Sequence, residues 1–363
     1  MVKSLFNLIA QPPSSIRAVG VMSGTSLDGL DLCLCDFWQE NGDWRFSLIK
    51  TTTISYTSDI KQSLTRAFEM TANELSALDF EYGKWVGHQI NIFLADAERM
   101  PDIIGSHGHT VFHQPSSGYT TQIGKGAVIS ATTGIPCVSD FRSGDVARGG
   151  QGAPLVPIGD ELLFSDFTWC LNIGGIANVS TRSNGKRLAW DICPANMILN
   201  LLANKQGKSF DSNGDLGRKG TVLVDLLDEL NSLAFYQSAP PKSLGREWFE
   251  KHFYPHFNLC DSSNSNLLAT AYEHISQQIA RSIGVTSSGT LLVTGGGAHN
   301  GFLVEKIREK VDANIVIPDS LTVDFKEALV FAFLAVLYLK GVNSSIGSVT
   351  GASSDSIAGV LSF

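Results

Sequence analysis

Three short glycine-rich turns follow apolar runs along the chain: Gly24-Thr25-Ser26-Leu27-Asp28-Gly29, Gly174-Gly175 and Gly295-Gly296-Gly297. Glycine lets backbone approach a ligand closely, because no Cβ intervenes and positive φ costs little. Several N–H groups converging in such a turn bind phosphate oxygens. The first turn adds the Thr25 and Ser26 hydroxyls and the Asp28 carboxylate, with Leu30 and Asp31 opening the next apolar run. Hydroxyls and a carboxylate beside phosphate donors are what a nucleoside triphosphate with Mg2+ requires, since the metal takes oxygen ligands. Gly174 and Gly175 with Asn178, and then Gly295 to Gly297, give two further candidate nucleotide contacts. One glycine turn after a strand is usually only a turn; three in one chain point to ATP. The chain has neither Gly-x-x-x-x-Gly-Lys-Ser/Thr nor a strand–Gly-x-Gly-x-x-Gly–helix, so the phosphates are held neither by a P-loop nor by a dinucleotide fold.

Two polar clusters lie between these turns. His107, His109 and His113 have a spacing that could ligate zinc, but nothing nearby completes the set. No metal site is expected there, and a histidine pair that lies at the surface or touches a sugar is the better reading. Asp140 and Arg142 sit in a loop between strand-like runs. The guanidinium could grip a carboxylate through two parallel hydrogen bonds, or the two residues could form a plain ion pair with each other.

The elements that must position these residues read as two α/β lobes. Strands are expected at 16–22, 30–37 and 44–54, followed by a helix from Ser58 or Asp59 to about 70. Thr71 and Glu74 have capping-box spacing for a second helix to about 97. A short strand at 102–106 ends at His107, and strand and helix fragments fill 124–139. The second lobe repeats the plan: strand 169–173, glycine turn, further strand. Helices follow at 195–203, 221–231 and 266–283, then strand 290–293, the third glycine turn, helix 301–311, strand 314–317 and helix 324–339. The glycine- and serine-rich tail has room for one closing strand. Lobe boundaries are expected at 1–135 plus about 341–363 for the first lobe and 136–340 for the second. Strand–turn–strand units facing each other with a third glycine turn describe a two-lobed actin-like, ribonuclease H-like ATPase fold with ATP in the interlobe cleft.

Composition narrows the class. At 363 residues two domains are expected, and a charged share of 17% against a hydrophobic share of 43% describes a well-packed chain. A net charge of −8 argues against binding nucleic acid through its backbone, which needs surplus Lys and Arg. The six cysteines are scattered, without a C-x-x-C pair, and read as reduced thiols. The apolar run 328–339 is too short to span a bilayer and reads as a buried helix. No signal peptide is read in residues 1–10, so a cytoplasmic protein with no membrane partner is expected.

The decapeptide from Gly20 to Gly29 resembles the opening motif of the anhydro-N-acetylmuramic acid kinases. Motifs of that family are also similar to Gly105–Gly108, Val138–Arg142, Gly149–Pro157, Asn172–Asn178, Pro240–Ser243 and Gly295–Asn300, in order along nearly the whole chain. The resemblance implies a reaction in which water opens the 1,6-anhydro ring of the amino sugar while the freed O6 takes the γ-phosphoryl of ATP, in peptidoglycan recycling. The family's basic aspartate, in Asp-x-Gly-Pro-Gly-Asn, maps onto Asp191 of Asp191-Ile192-Cys193-Pro194-Ala195-Asn196. Its Glu-Ala pair maps onto Glu327-Ala328, at the expected start of the final helix, where a glutamate also suits the helix dipole. His107, Asp140 and Arg142 become sugar contacts, and a homodimer is implied. Chemically, ring opening needs a carboxylate near a water, and phosphoryl transfer needs one near the acceptor. Alternatively, Asp191 is a helix N-cap ahead of Pro194. Three positions depart from the family: His109 where Gln is usual, Ala195 where Gly is usual, and Leu244 where Thr is common. An ordinary hexose or aminosugar kinase without ring opening, or a non-catalytic nucleotide-binding regulator of the same fold, are the competing readings.

Overall fold

The computed structural model describes residues 13–24, 27, 29–284 and 288–363. Residues 1–10, read as lacking a signal peptide, and the phosphate-turn residues Thr25, Ser26 and Asp28 lie outside the described residues. The chain divides into two compact units. The first holds the described residues up to Leu163 together with Phe325–Phe363, and the second is Phe164–Asp324.

In the first unit, β1 (Ser15–Ser23), β2 (Leu30–Glu40) and β3 (Asp43–Ile54) form an antiparallel meander. β4 (Ile103–Ser106) joins β1 in parallel, β7 (Cys137–Ser139) joins β4 in parallel, and β13 (Val360–Ser362) closes the edge. The order is β13-β7-β4-β1-β2-β3, with a separate hairpin of β5 (His109–Gln114) and β6 (Tyr119–Ile123). Alternating apolar residues of β1 and β2, such as Val19, Val21, Leu32 and Leu34, pack with Leu78, Tyr82, Val86 and Ile90 of the second helix into one core. That helix, α2 (Ala72–Phe93), starts with the expected capping box at Thr71 and Glu74. The first helix, α1 (Ser58–Arg66), is capped by Thr57, one residue before the expected Ser58, because Thr57 is the residue that stays extended and accepts from Ile60 N.

The second unit repeats the topology. β8 (Trp169–Ile173), β9 (Ile176–Ser183) and β10 (Lys186–Pro194) form an antiparallel meander, and β11 (Thr290–Thr294) and β12 (Asn314–Val316) extend it in parallel. The order β10-β9-β8-β11-β12 matches β3-β2-β1-β4-β7 of the first unit strand for strand. This doubled order is the actin-like, ribonuclease H-like plan. A 20-residue helix, α5 (Asn264–Ile283), buries Leu268, Tyr272, Ile275 and Ile279 in the core of this unit beside α4 (Asn196–Asn204). α3 (Gly126–Thr133) belongs to the first unit and α6 (Gly301–Arg308) to the second.

The boundaries differ from the sequence reading. Residues 136–163 and most of the final helix, α7 (Ser320–Lys340), belong with the first unit. The physical reason is close backbone packing: a Cβ on Gly20 would fall 1.8 Å from the Ala328 carbonyl oxygen, and one on Gly105 2.0 Å from that of Phe331. Only glycine on β1 and β4 lets α7 lie this near the sheet. Residues 328–337 of α7 are at most 2% exposed, as the apolar run predicts for a buried helix. No described helix is long and apolar enough to cross a membrane. Cys33, Cys35, Cys137, Cys170 and Cys193 are buried free thiols, and Cys260 is half-buried and free.

Candidate active site

In the second unit the site is built on β10. Asp191 pairs across the sheet with Asn178 of β9, which in turn pairs with Asn172 of β8, so three polar residues form one row over adjacent strands. A bulge between Asp191 and Cys193 re-aims the strand at this point. The backbone N–H of Asp191 donates to the Lys242 carbonyl at 2.9 Å. Its Oδ2 accepts from Leu244 N at 2.7 Å and from Ser243 Oγ at 3.0 Å. Both bonds fall on Oδ2, and Oδ1 has no hydrogen-bond partner among the described residues. Burial raises the Asp191 carboxyl above its ordinary range, while the bonds from Leu244 and Ser243 oppose the rise. A carboxylate held by one oxygen and lifted in basicity is suited to take a proton through the other.

This geometry corrects the N-cap alternative: Asp191 lies in a strand, and the residue before α4 is Ala195, which makes no side-chain cap. It also gives the Pro240–Ser243 motif a role that sequence reasoning missed, since Ser243 and the next residue, Leu244, supply the donors that hold the carboxylate. No signal in the one-dimensional spacing links residues 52 apart. The departure at Leu244 is harmless to the contact, because the donor is its backbone N–H.

Gly174 and Gly175 form the β8–β9 turn, and their carbonyls accept from Ala195, Asn196 and Met197 at 2.8–3.1 Å, fixing the start of α4 against the turn. Asn178, expected as a nucleotide contact, stands in register beside Asp191. Gly295 (φ 79°) and Gly297 are tight against the end of β8; a Cβ would meet Asn172 Oδ1 at 2.5 Å and Ile173 Cγ2 at 2.2 Å. Gly296 lies between them, with its own Cβ position 3.6 Å from the Asn196 side chain. The second and third glycine turns thus converge on one end of β8.

In the first unit, β1 ends at Ser23 and the first glycine turn follows. Leu27 takes φ 58° and its N–H bonds back to the Gly24 carbonyl at 3.3 Å. Gly29 approaches the Ile54 carbonyl, Leu30 pairs with Ser23, and Asp31 accepts from Thr53 Oγ1 at 2.6 Å. Ser23 also accepts from Tyr56 Oη at 2.7 Å and meets His109 Nδ1 at 3.0 Å, so the family departure His109 is absorbed into a buried polar chain at the root of this turn.

Arg142 and His107 form a pair. His107 Nε2 accepts from Arg142 Nε at 3.1 Å and from Nη2 at 2.8 Å, while Nη1 donates to the Gly152 carbonyl at 2.6 Å. The expected alternative of an Asp140–Arg142 ion pair is overturned: Asp140, at φ 54°, accepts the Ser143 N–H at 3.2 Å. The Gly149–Pro157 motif holds Arg142 by way of Asp145. This buried carboxylate accepts Gly152 N–H at 2.7 Å and the hydroxyls of Ser345 and Thr350 in the C-terminal tail at 2.5 and 2.7 Å. Burial and then the Arg142 charge pull His107 down to about 3, so it is neutral at neutral pH. Since Nε2 accepts, the ring proton is on Nδ1. The three histidines take separate partners: His107 goes to Arg142, His109 to Ser23 and His113 to Thr120.

Glu327 lies about two turns into α7 rather than at its start, because the helix begins at Ser320. The dipole explanation for it therefore falls away. Its side chain is solvent-exposed, yet its carboxyl is raised, first by the surrounding protein mass, with Arg142 opposing and Asp31 adding to the rise. Burial pulls Arg142 down to about 10 against the charge of Glu327. Arg142, Glu327 and Asp31 are therefore one electrostatic group. The neighbouring Lys326 forms a buried ion pair with Asp160 at 2.6 Å.

The sequence matches the family model for anhydro-N-acetylmuramic acid kinase over residues 16–363. Similar curated proteins include the anhydro-N-acetylmuramic acid kinases of Pseudomonas putida, 35% identical over 94% of this chain and 98% of that one, and of Pseudomonas fluorescens, 36% identical with the same coverage. The enzyme of Colwellia psychrerythraea is 34% identical over 94% of this chain and 96% of that one. Among solved structures, the activator of the 2-hydroxyisocaproyl-CoA dehydratase from Clostridium difficile with bound ADPNP is similar at a TM-score of 0.45 and 14% identity, over 90% of this chain and 96% of that one; so loose a likeness says nothing about chemistry. A match to the family model over nearly the whole chain, with relatives above 30% identity along their full length, makes this chain a member of the anhydro-N-acetylmuramic acid kinase family.

Proposed function

We propose that the protein is an ATP-dependent kinase that opens 1,6-anhydro-N-acetylmuramic acid with water and phosphorylates O6, giving N-acetylmuramic acid 6-phosphate and ADP in cell-wall recycling. Asp191 takes a proton from water as the water oxygen bonds to C1; the C1–O6 bond breaks, and O6 bonds to the γ-phosphorus as ADP leaves. The observation that carries this reading is the Asp191 carboxylate, fixed through Oδ2 by Ser243 and Leu244 and raised by burial. An inverting cleavage needs one such base, and the departing O6 supplies its own nucleophile to phosphorus.

Arg142, with His107 behind it, and Asp140 are assigned to the sugar, and Glu327 to orienting the water or the sugar. Gly24 to Asp31, Gly174, Gly175, Asn178 and Gly295 to Gly297 are assigned to ATP. Among the described residues no group of three His, Cys, Asp or Glu could hold a metal alone. That suits Mg2+ carried by phosphates and water with one or two carboxylates, for which Asp31 and Glu327 are hard oxygen donors. Bound with the nucleotide, Mg2+ neutralises charge on the β- and γ-phosphates. A cytoplasmic homodimer completes the proposal.

The test is ADP release with Mg-ATP and the anhydro sugar in 18O-labelled water, against N-acetylmuramic acid and glucose. Label at C1 of a 6-phosphorylated product is expected. Turnover of N-acetylmuramic acid or glucose alone would make it an ordinary sugar kinase, and label entering only inorganic phosphate would make it an ATPase.

A further inference from the structure

The donors that fix Asp191 come from a segment that needs an anchor of its own. Residues 242–244 meet Asp191 three times: the Lys242 carbonyl accepts its N–H, and the Ser243 hydroxyl and Leu244 N–H donate to Oδ2. Ser243 is exposed, and Pro240 and Pro241 before it have no backbone N–H with which to tie the segment down. The tie is made through a short helical turn, Ala234–Gln237. Lys242 Nζ donates to the Phe235 carbonyl at 3.0 Å and stands 4.5 Å from the centre of the Phe235 ring, which packs on Trp248 at 5.3 Å.

A buried polar chain, so far without a part in the chemistry, holds that turn. Tyr236 Oη lies 3.1 Å from Nε2 of His274 on α5, the two rings meeting edge to face at 5.0 Å, and His274 Nδ1 lies 3.0 Å from Asn231 Oδ1. The Asn231 amide is oriented independently, since its Oδ1 accepts from Gln278 Nε2 at 2.6 Å and its Nδ2 donates to Gln277 Oε1 at 2.9 Å. An amide oxygen only accepts, so His274 carries its proton on Nδ1 and accepts the Tyr236 hydroxyl through Nε2. Every donor in this chain therefore runs from the turn into α5. His274 is fully buried; burial and then the Arg281 charge hold it down to about 3, and it is neutral at neutral pH. Cys193, which interacts with Tyr236, Lys242 and Asp191, is kept as a neutral thiol by burial. A neutral polar chain in a protein interior costs desolvation that apolar side chains would avoid, and its effect once fully satisfied is to fix a single arrangement.

We propose that Tyr236 and His274 are positioning residues for Asp191: their bond fixes the 234–237 turn and, through Lys242, the donors of residues 243 and 244 on the carboxylate. The consequence for turnover rests on the kinase reading, in which Asp191 is the base. The positioning itself does not.

The experiment therefore has two readouts. In the protein without substrates, Asp191 is titrated by 13C NMR of its side-chain carboxyl, the signal being the one lost in Asp191→Asn; kcat on the anhydro sugar is measured on the same variants. Tyr236→Phe and His274→Leu slacken donors that favour the ionised form, so Asp191 should titrate about one pH unit higher and kcat should fall about tenfold. His274→Gln, which offers Tyr236 an acceptor and Asn231 a donor, should stay within twofold of wild type in kcat and leave the titration in place. Tyr236→Phe added to Asp191→Asn should lower the residual rate no further, because it acts only through that carboxylate. An Asp191 titration unchanged in folded Tyr236→Phe protein, or a further tenfold loss in the double variant, overturns the positioning role. A titration that moves as expected in protein that phosphorylates no sugar sinks the kinase reading and leaves the positioning role standing. Should His274→Leu not fold, Tyr236→Phe and His274→Gln decide the matter by the same criteria.

Discussion

Asp191 stands on a strand of the second unit and Glu327 on a helix of the first, and both carboxyls are raised above their ordinary range by surrounding protein. Their settings differ. Asp191 is fixed by two donors on one oxygen, both from the 240–244 segment. Glu327 has no such donors among the described residues; its carboxyl is raised first by the surrounding protein, with the Arg142 charge opposing the rise and Asp31 adding to it. The two units have the same strand order, so topology alone does not decide which carboxylate is the base. Local hydrogen bonding separates the two: a directed, immobilised carboxylate suits proton abstraction, and an exposed one in a mixed electrostatic group suits orienting a ligand.

The sharpest way to break this contrast is Asp191→Asn. The amide oxygen can still accept from Leu244, so folding should be retained and kcat should fall about 10³–10⁴-fold. A fall below tenfold in single-turnover ADP release would remove Asp191 as the base. Next in size is the anchor of the Glu327 helix. Lys326→Met should take from Asp160 its buried ion-pair partner and cost about 3–5 kcal/mol in urea unfolding. The double variant Asp160→Leu with Lys326→Met should recover most of this, because the pair's desolvation cost disappears with it. Were the single and double variants equally unstable, packing rather than charge would anchor α7. Glu327→Gln, which keeps shape and removes charge, should lower kcat about 10²-fold, less than Asp191→Asn; a larger loss would exchange the two roles.

The smallest expected effect concerns pH. A base works deprotonated, so activity should fall as pH drops through the raised Asp191 value. Ser243→Ala removes a bond that favours the ionised form, which raises that value further. The acid limb of kcat/KM should move to higher pH while kcat at neutral pH changes only a few-fold. An acid limb that stays put would show that another group titrates there.

Much of the plan was legible along the chain because local rules govern it. Alternating apolar runs marked the meanders, Thr71 and Glu74 marked a capping box, and glycine clusters marked turns at strand ends. The start of α7 was misread because Asp324 and Glu327 resemble a first turn, whereas Ser320 to Val323 already continue the helix. The lobe boundary was misread because it depends on Gly20 and Gly105 admitting a helix more than 300 and 200 residues away, respectively. The alternative Asp140–Arg142 ion pair rested on an acid two residues away in sequence, whereas in space the guanidinium bonds to His107, which directly follows β4.

By itself the sequence determined the doubled α/β plan, the glycine turns and, through motif order, the family, because these are written in short contiguous segments. Tertiary structure alone decided that the Pro240–Ser243 segment holds Asp191 and that Asp145 ties the Arg142 loop to the C-terminal tail. It alone decided, too, that His107, Gln122 and Lys125 line one cavity. Those contacts join residues tens to hundreds apart, and hydrogen-bond geometry is fixed only when strands and helices are packed in three dimensions.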